Sequence, residues 1–288
     1  GIYDCRIIEQ HEVSTGVYHT VLTGEEIARE SQAGQFVNVQ VSRTTDPLLR
    51  RPFSIHAVYP DEGKFSLLYV VVGRGTELLR HIPAGETVSV VGPLGRGFDL
   101  GDSPDDEHIV VAGGCGAAPL HFLCDALCDK WGCEKVTVLA GGRSKDAVLC
   151  EAEFRSHGVE VEVSTDDASY GHGGFVTELL EQALANRQQA TGGLSGVRIY
   201  SCGPHAMMRE VARICREAGV ASCQVSLENN MACGLGVCMG CVQKTADHEC
   251  TCAGGPDDYQ YSIINDQWRF KRVCTDGPVF DAEDVIWE

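Results

Sequence analysis

The first hundred residues alternate apolar and polar positions in short runs. Val17-Tyr-His-Thr-Val-Leu22, Gln35-Phe-Val-Asn-Val-Gln-Val41, Phe65-Ser-Leu-Leu-Tyr-Val-Val-Val72 and Thr87-Val-Ser-Val-Val91 are rich in β-branched and aromatic residues, with Gly, Pro or Asp clusters between them. A period of two with this punctuation predicts antiparallel strands closing into a β-barrel. A short helix is expected over 76–81, and the acidic stretch 99–107, broken by Pro104, reads as a linker. Beyond it the period changes. Ile109-Val-Val-Ala112 runs into Gly113-Gly-Cys-Gly116 and an apolar helix over 118–130. Further apolar strands at 136–140, 159–163 and 197–202 each end in a glycine or polar turn, and a helix follows over 206–218. Strands alternating with helices predict a parallel sheet with helical cover, whose ligands sit at the carboxyl ends of the strands. The expected fold class is α+β multidomain: a barrel domain at 1–100, an α/β nucleotide domain at 108–224 and a small Cys-rich domain at 225–288.

Composition narrows the function classes. At 288 residues, 43% of them hydrophobic, the chain has material for two or three cores. A formal charge of −18 argues against nucleic acid, whose phosphates call for basic patches. No apolar run approaches the length that spans a bilayer. The start, Gly1-Ile-Tyr-Asp-Cys-Arg, has no basic segment ahead of an apolar one, so no secretory leader is expected. Fifteen cysteines are an odd number in a chain far longer than a disulfide-stapled scaffold. Cys124, Cys128, Cys133, Cys150 and Cys215 sit among apolar neighbours and read as small core residues, consistent with a reducing cytoplasm. The ten histidines show no metal-type spacing, and His121, His157 and His205 are expected as helix or turn residues.

Four cysteines carry the sharpest chemistry. Cys233-Gly-Leu-Gly-Val-Cys238-Met-Gly-Cys241 is a C-x4-C-x2-C run, and Cys274 stands alone further on. That spacing is the plant-type [2Fe–2S] arrangement, in which thiolates hold the irons and backbone N–H groups turn toward the sulfurs. A zinc site is the competing reading, although zinc sites usually bring two short-spaced pairs. A second constellation is Arg51-Pro52-Phe53-Ser54, with Leu68-Tyr69-Val70 and Gly73-Arg-Gly75-Thr76 following it. An Arg can pair with a pyrophosphate, a Ser hydroxyl can reach an isoalloxazine edge and an aromatic can stack on the ring. Gly73, Gly75 and Thr76 can offer phosphate donors where a helix begins. Each piece alone also fits an ordinary barrel strand and turn. The Gly113-Gly114-Cys115-Gly116 turn, between strand and helix, has the context that places a pyrophosphate at a helix N-terminus.

Taken together, Arg-Pro-Phe-Ser, Gly-Arg-Gly-Thr, Gly92-Pro-Leu-Gly-Arg-Gly-Phe98, the Gly-Gly-x-Gly turn and Cys202-Gly203-Pro204 resemble the ferredoxin–NADP reductase superfamily. More narrowly, Thr165-Asp-Asp-Ala-Ser-Tyr-Gly-His172, Met231-Ala-Cys-Gly-Leu-Gly-Val-Cys238 and Val273-Cys-Thr-Asp-Gly-Pro-Val-Phe280 resemble the electron-transfer subunits of class B (NAD-dependent) dihydroorotate dehydrogenases. The resemblance covers essentially the whole chain. It implies an NAD-linked oxidoreductase subunit with FAD at 51–54, 68–70, Gly75 and Thr76, and a [2Fe–2S] cluster on Cys233, Cys238, Cys241 and Cys274. It also implies that Cys202 lies near the nicotinamide. The partner would be an FMN-containing dihydroorotate dehydrogenase catalytic subunit of pyrimidine biosynthesis, in a heterotetramer of two of each. NAD against NADP turns on the ribose 2′-position: Asp166 and Asp167 lean toward NAD, Arg143 and Lys145 the other way, and the resemblance favours NAD. Relatives of this architecture also serve as electron-entry subunits of sulfhydrogenases and of NADH-dependent ferredoxin:NADP oxidoreductases, which is the rival enzymatic reading. A zinc-binding interaction module is the non-enzymatic one. One departure stands out: 246–260 looks inserted and carries Cys250 and Cys252, rivals to Cys274 as fourth ligand.

Overall fold

The computed structural model describes residues 1–246 and 268–287. Strands β1 (Ile2–Ser14), β2 (Val17–Thr23), β3 (Phe36–Val39), β4 (Arg51–Tyr59), β5 (Lys64–Val70) and β6 (Thr87–Leu94) close an antiparallel barrel in the order β1-β2-β5-β4-β3-β6. Two short helices, α1 (Glu25–Glu30) and α2 (Arg74–Leu79), sit between strands. Inward positions at alternate residues fill the interior, among them Ile7, Leu22, Val37, Ile55, Phe65 and Leu67 at about zero exposure. Each such side chain contributes roughly 1.5–3 kcal/mol by leaving water. Helix α2 begins earlier than the sequence pattern suggests because Thr76 caps it: its hydroxyl accepts the N–H groups of Val72 (3.1 Å) and Gly73 (3.2 Å).

The second sheet contains β7 (Glu107–Gly113), β8 (Val136–Gly142), β9 (Glu160–Thr165), β10 (His172–Gly173), β11 (Val197–Cys202) and β12 (Ser222–Ser226). After β13 (Val242–Ala246) and β14 (Trp268–Arg272), which form a separate antiparallel pair, β15 (Val279–Asp281) joins its edge. The order is β10-β9-β8-β7-β11-β12-β15, parallel except for β15. The chain fans out from β7 in both directions, so β7 and β11 flank the switch point, where such sheets bind ligands. Helices α3 (Ala117–Trp131), α4 (Glu151–Ser156), α5 (Val176–Thr191) and α6 (His205–Ala218) supply the cover. In α3, Pro119 sits in the first turn, where its missing N–H costs nothing, and Gly132 ends the helix at φ +95°. Its Leu120, Leu123 and Leu127 are fully buried in a core continuous with the barrel interior. The other face of the sheet packs α5 and α6 together with Val273, Cys241, Cys274 and Phe280. The barrel and the parallel sheet thus follow the pattern of the sequence. Among the described residues no helix is long and apolar enough to cross a membrane.

Candidate functional site

A cavity of about 760 Å³ opens where the barrel, the N-terminus of α3 and the segment after β12 meet. Arg51, Pro52, Phe53 and Ser54 of β4, Leu68, Tyr69 and Val70 of β5, and Thr76 of α2 all line it. Gly73 and Gly75 stand beside the lining. Gly75 lets the Arg51 side chain lie against the turn: a Cβ there would stand 2.5 Å from Arg51 Nε, so the side chain would have to shift. The Arg51 guanidinium is held in place by donating to the carbonyls of Leu49 (2.7 Å) and Arg50 (3.2 Å). Tyr69 presents its ring to the cavity while its hydroxyl donates to Gln10 Oε1 at 3.2 Å. Thr76 Oγ1 is spent on the turn, since it also donates to the Gly73 carbonyl at 3.0 Å. An elongated wall with an arginine, a hydroxyl and an aromatic face suits a flavin nucleotide. The lining also includes Cys115 of the glycine turn and Met231 ahead of the cysteine loop, together with Phe36, Ala118, Glu228 and Asn229, which the barrel motifs could not have indicated.

A second cavity, about 340 Å³, adjoins the first at Cys115, Leu227, Glu228 and Asn229. It is lined by Gly113, Gly114 and Gly116 at the start of α3 and by Gly203, Pro204 and His205 at the start of α6. These two turns touch backbone to backbone. A Cβ on Gly116 would stand 2.2 Å from the Cys202 carbonyl oxygen, and one on Gly203 would stand 2.9 Å from Gly113 Cα. Only glycine allows the turns to close up, and the result is a set of free amides at a helix N-terminus of the switch point. Cys202 itself is buried behind this wall, 1% exposed, and burial holds its thiol well above the usual range. Glu228 stands at the junction of the two cavities, open to the cleft but crowded by its walls, and that desolvation pushes its carboxyl up. Asp166 lies in the exposed turn after β9, apart from both linings, with its N–H donated to the Gly142 carbonyl at 3.0 Å. Its neighbour Asp167 accepts the Ser169 N–H at 3.0 Å, while Lys145 lies 5.2 Å from the Tyr170 ring centroid.

The cysteine loop hangs over the barrel and the sheet edge. Cys274 and Cys241 are buried, Cys233 half-buried and Cys238 exposed. Backbone N–H groups point at the sulfurs: Leu235 N–H to Cys233 Sγ (3.4 Å), Gly236 N–H to Cys274 Sγ (3.2 Å) and Cys274 N–H to Cys241 Sγ (3.4 Å). The thiols meet as two pairs, Cys233 with Cys238 and Cys241 with Cys274. Burial raises the Cys233 thiol, but the Leu235, Cys238 and Val237 amides and the Cys238 side chain outweigh it and bring it down to about 6. Burial and the Cys241 contact push Cys274 up to about 12. Among the described residues, the groups whose ligand atoms all lie within 4.8 Å of one another do not include these cysteines. Two thiol pairs with amides aimed at them fit a two-iron centre, each iron taking one pair, better than one tetrahedral zinc. Gly234, at φ +68°, lies against Asn38 of β3, whose Nδ2 donates to the Cys233 carbonyl at 3.4 Å. Cys250 and Cys252 lie outside the described residues.

Residues 4–98 match the oxidoreductase FAD-binding domain family and residues 110–213 the oxidoreductase NAD-binding domain family. The Desulforamulus reducens protein named dihydroorotate dehydrogenase B (NAD(+)), electron transfer subunit, is 39% identical over 287 residues, covering 100% of this chain and 99% of its own length. The Fusobacterium nucleatum protein of the same name is 35% identical over 285 residues, covering 99% and 98%. Among solved structures, a chain of an NADH-dependent reduced ferredoxin–NADP oxidoreductase, studied for flavin-based electron bifurcation, superposes with a TM-score of 0.79 at 26% identity, covering 100% of this chain and 91% of that one. A ferredoxin NADP+ reductase from Neisseria gonorrhoeae with bound FAD and NADP shares the fold, with a TM-score of 0.60 at 15% identity over 76% and 92% of the two chains.

Proposed function

Because the chain belongs to the dihydroorotate dehydrogenase B electron transfer subunit family, we propose that it carries electrons from an FMN-containing dihydroorotate dehydrogenase catalytic subunit to NAD+. The observation that carries this reading is the adjacency of two cavities on one chain, joined at Cys115, Leu227, Glu228 and Asn229, with the paired cysteines packed beside them. When bound, FAD and a [2Fe–2S] centre supply the exchange between hydride and single electrons, and the protein supplies placement. Arg51 is positioned to pair with the flavin pyrophosphate, Ser54 to meet the ring edge and Tyr69 to wall the ring. The amides of Gly113, Gly114 and Gly116 take the pyrophosphate of NAD, and Gly203 and Pro204, backed by the buried Cys202, wall the nicotinamide. Asp166 accepts the adenosine 2′-hydroxyl, which favours NAD over NADP. No dihydroorotate chemistry is assigned to this chain, so that step belongs to the partner.

Val237 (81% exposed), Leu235 (52%) and Met239 (37%) surround the cysteines. Exposed apolar residues at the cysteine loop support docking of the partner there; the assembly we propose is a heterotetramer of two of each subunit, in the cytoplasm. The likeness to the NADH-dependent reduced ferredoxin–NADP oxidoreductase chain supports an electron-entry role in another complex as the secondary reading.

Anaerobically purified protein should bind one FAD and two irons with acid-labile sulfide. Alone it should pass electrons from NADH to dyes without oxidising dihydroorotate. Adding the FMN-bearing subunit should give NAD+-linked dihydroorotate oxidation. Zinc without sulfide, or failure to associate with that subunit, would reject the reading. Cys274 is the proposed fourth ligand, so substituting serine at Cys250 and Cys252 together should leave the visible cluster spectrum and iron content unchanged. Loss of iron in that variant, with retention in Cys274→Ser, would reassign the ligand.

A further inference from the structure

Five histidines that the sequence scatters are brought together along the seam between the barrel and the nucleotide domain. His11 and His19 are 5.5 Å apart between ring centroids, His19 and His56 5.3 Å, His56 and His121 4.4 Å, and His121 and His157 5.1 Å. At one end of this row, we propose that His121, Asp125 and His157 bind a zinc-like divalent transition-metal ion, at a site separate from the cysteine loop.

His121 and Asp125 stand one turn apart on α3, and His157 caps the end of α4. His157 Nε2 lies 2.9 Å from Asp125 Oδ1 and 3.1 Å from His121 Nε2. The three ligand atoms all fall within 4.8 Å of one another. A tetrahedral zinc with bonds of about 2.0–2.1 Å has ligand edges near 3.3 Å; the two edges at His157 are already close to that, and the His121–Asp125 edge lies within 4.8 Å. The ring orientation is also set. His121 Nδ1 lies 3.2 Å from the His56 carbonyl oxygen, which fixes the Nδ1–H tautomer and leaves the Nε2 lone pair facing His157. A ligating histidine usually has its second nitrogen anchored in this way. His121 is only 8% exposed, so its ring is held within the packed seam. Asp125 and His157 are half-buried, so an ion would reach the site from solvent and take water as its fourth ligand. Two imidazoles and one carboxylate with an open corner suit zinc better than calcium or magnesium, which prefer all-oxygen shells. An occupied site would tie α3 to α4. Through the His56 carbonyl it would also brace β4, the strand that carries Arg51–Ser54.

The test uses protein loaded with FAD and cluster, so that the four loop cysteines are occupied, then washed with EDTA and desalted. Titration with Zn2+ should show one equivalent, and zinc-edge X-ray absorption should show nitrogen and oxygen at about 2.0–2.1 Å with no sulfur at about 2.3 Å. His157→Ala and Asp125→Asn, both at half-exposed positions, should each weaken that equivalent by roughly 100-fold, the upper end of what even outer-shell losses cost. Flavin and iron content should not change. Failure to take up zinc, uptake that survives both substitutions, or a shell containing sulfur would each overturn the proposal. The last result would move the metal to cysteine, for example in the neighbouring group of His56, Cys150 and Glu153.

Discussion

Replacing Cys238 by serine is expected to lower NAD+-linked dihydroorotate turnover of the two-subunit complex by roughly 1000-fold or more, equivalent to about 4 kcal/mol of barrier. NADH oxidation by small dyes should change little. Cys238 is the right position because it is the exposed member of its quartet, whereas Cys241 and Cys274 are part of the core against the sheet. The substitution therefore removes a proposed iron ligand without opening a cavity. The residues lining the two nucleotide cavities do not include Cys238. Iron content should fall while flavin absorbance persists. Equal loss of the two activities would show that the loop supports the fold and does not relay electrons.

Substituting alanine for Gly116 is expected to raise the Michaelis constant for NADH by about 100-fold, close to 3 kcal/mol of lost binding, with FAD retained. The new methyl would sit 2.2 Å from the Cys202 carbonyl oxygen and 2.3 Å from its carbon. Both are backbone atoms, so the α3 and α6 turns would have to part. Overpacking of this kind costs roughly 1–3 kcal/mol of stability, which a thermal melt would report. Gly114 meets no such backbone obstacle. It adopts φ +52°, and an added Cβ meets nothing within 4 Å. Alanine there strains the backbone by about 1–2 kcal/mol but does not force the turns apart. Dye-coupled kinetics of Gly116→Ala read the loss of binding directly. If Gly116→Ala binds NADH like the parent, the turn does not hold the nucleotide.

Much of the architecture was legible because local pattern and final environment agree. Alternation at 17–22, 35–41, 65–72 and 87–91 foretold barrel strands, and the strand, glycine turn and helix from 109 to 130 foretold the nucleotide unit. What escaped has physical reasons. α5 carries its buried Leu179, Leu180 and Leu184 among many polar residues, so its apolar stripe is narrow. β12 runs to Ser226, past the boundary drawn at 224, because the sheet continues into the Cys-rich region. The part of the large cavity's lining from Leu227 to Asn230 has no motif of its own, since its position depends on three parts of the chain meeting. The histidine row was invisible for the same reason. His121 and His157 are indeed helix and turn residues, as the sequence suggests, yet they face each other across 36 positions.

The strand β15 has a consequence for distance. The cysteine loop enters from β12 and leaves into β15, which pairs antiparallel with β12 through Gln224–Asp281, Val225–Phe280 and Ser226–Val279. The Arg96 N–H bonded to the Gly277 carbonyl (2.6 Å) and the Asn38 contact tie the same loop to the barrel. The four sulfurs therefore do not ride on a tether. Their separation from the flavin-sized cavity is a span set by hydrogen-bond register, the way a ruler is set by its rulings. In a β-ladder one slipped residue turns every side chain to the opposite face. A single residue inserted between Cys274 and Val279 would thus reset the gap that an electron has to tunnel, with every thiol still in the chain.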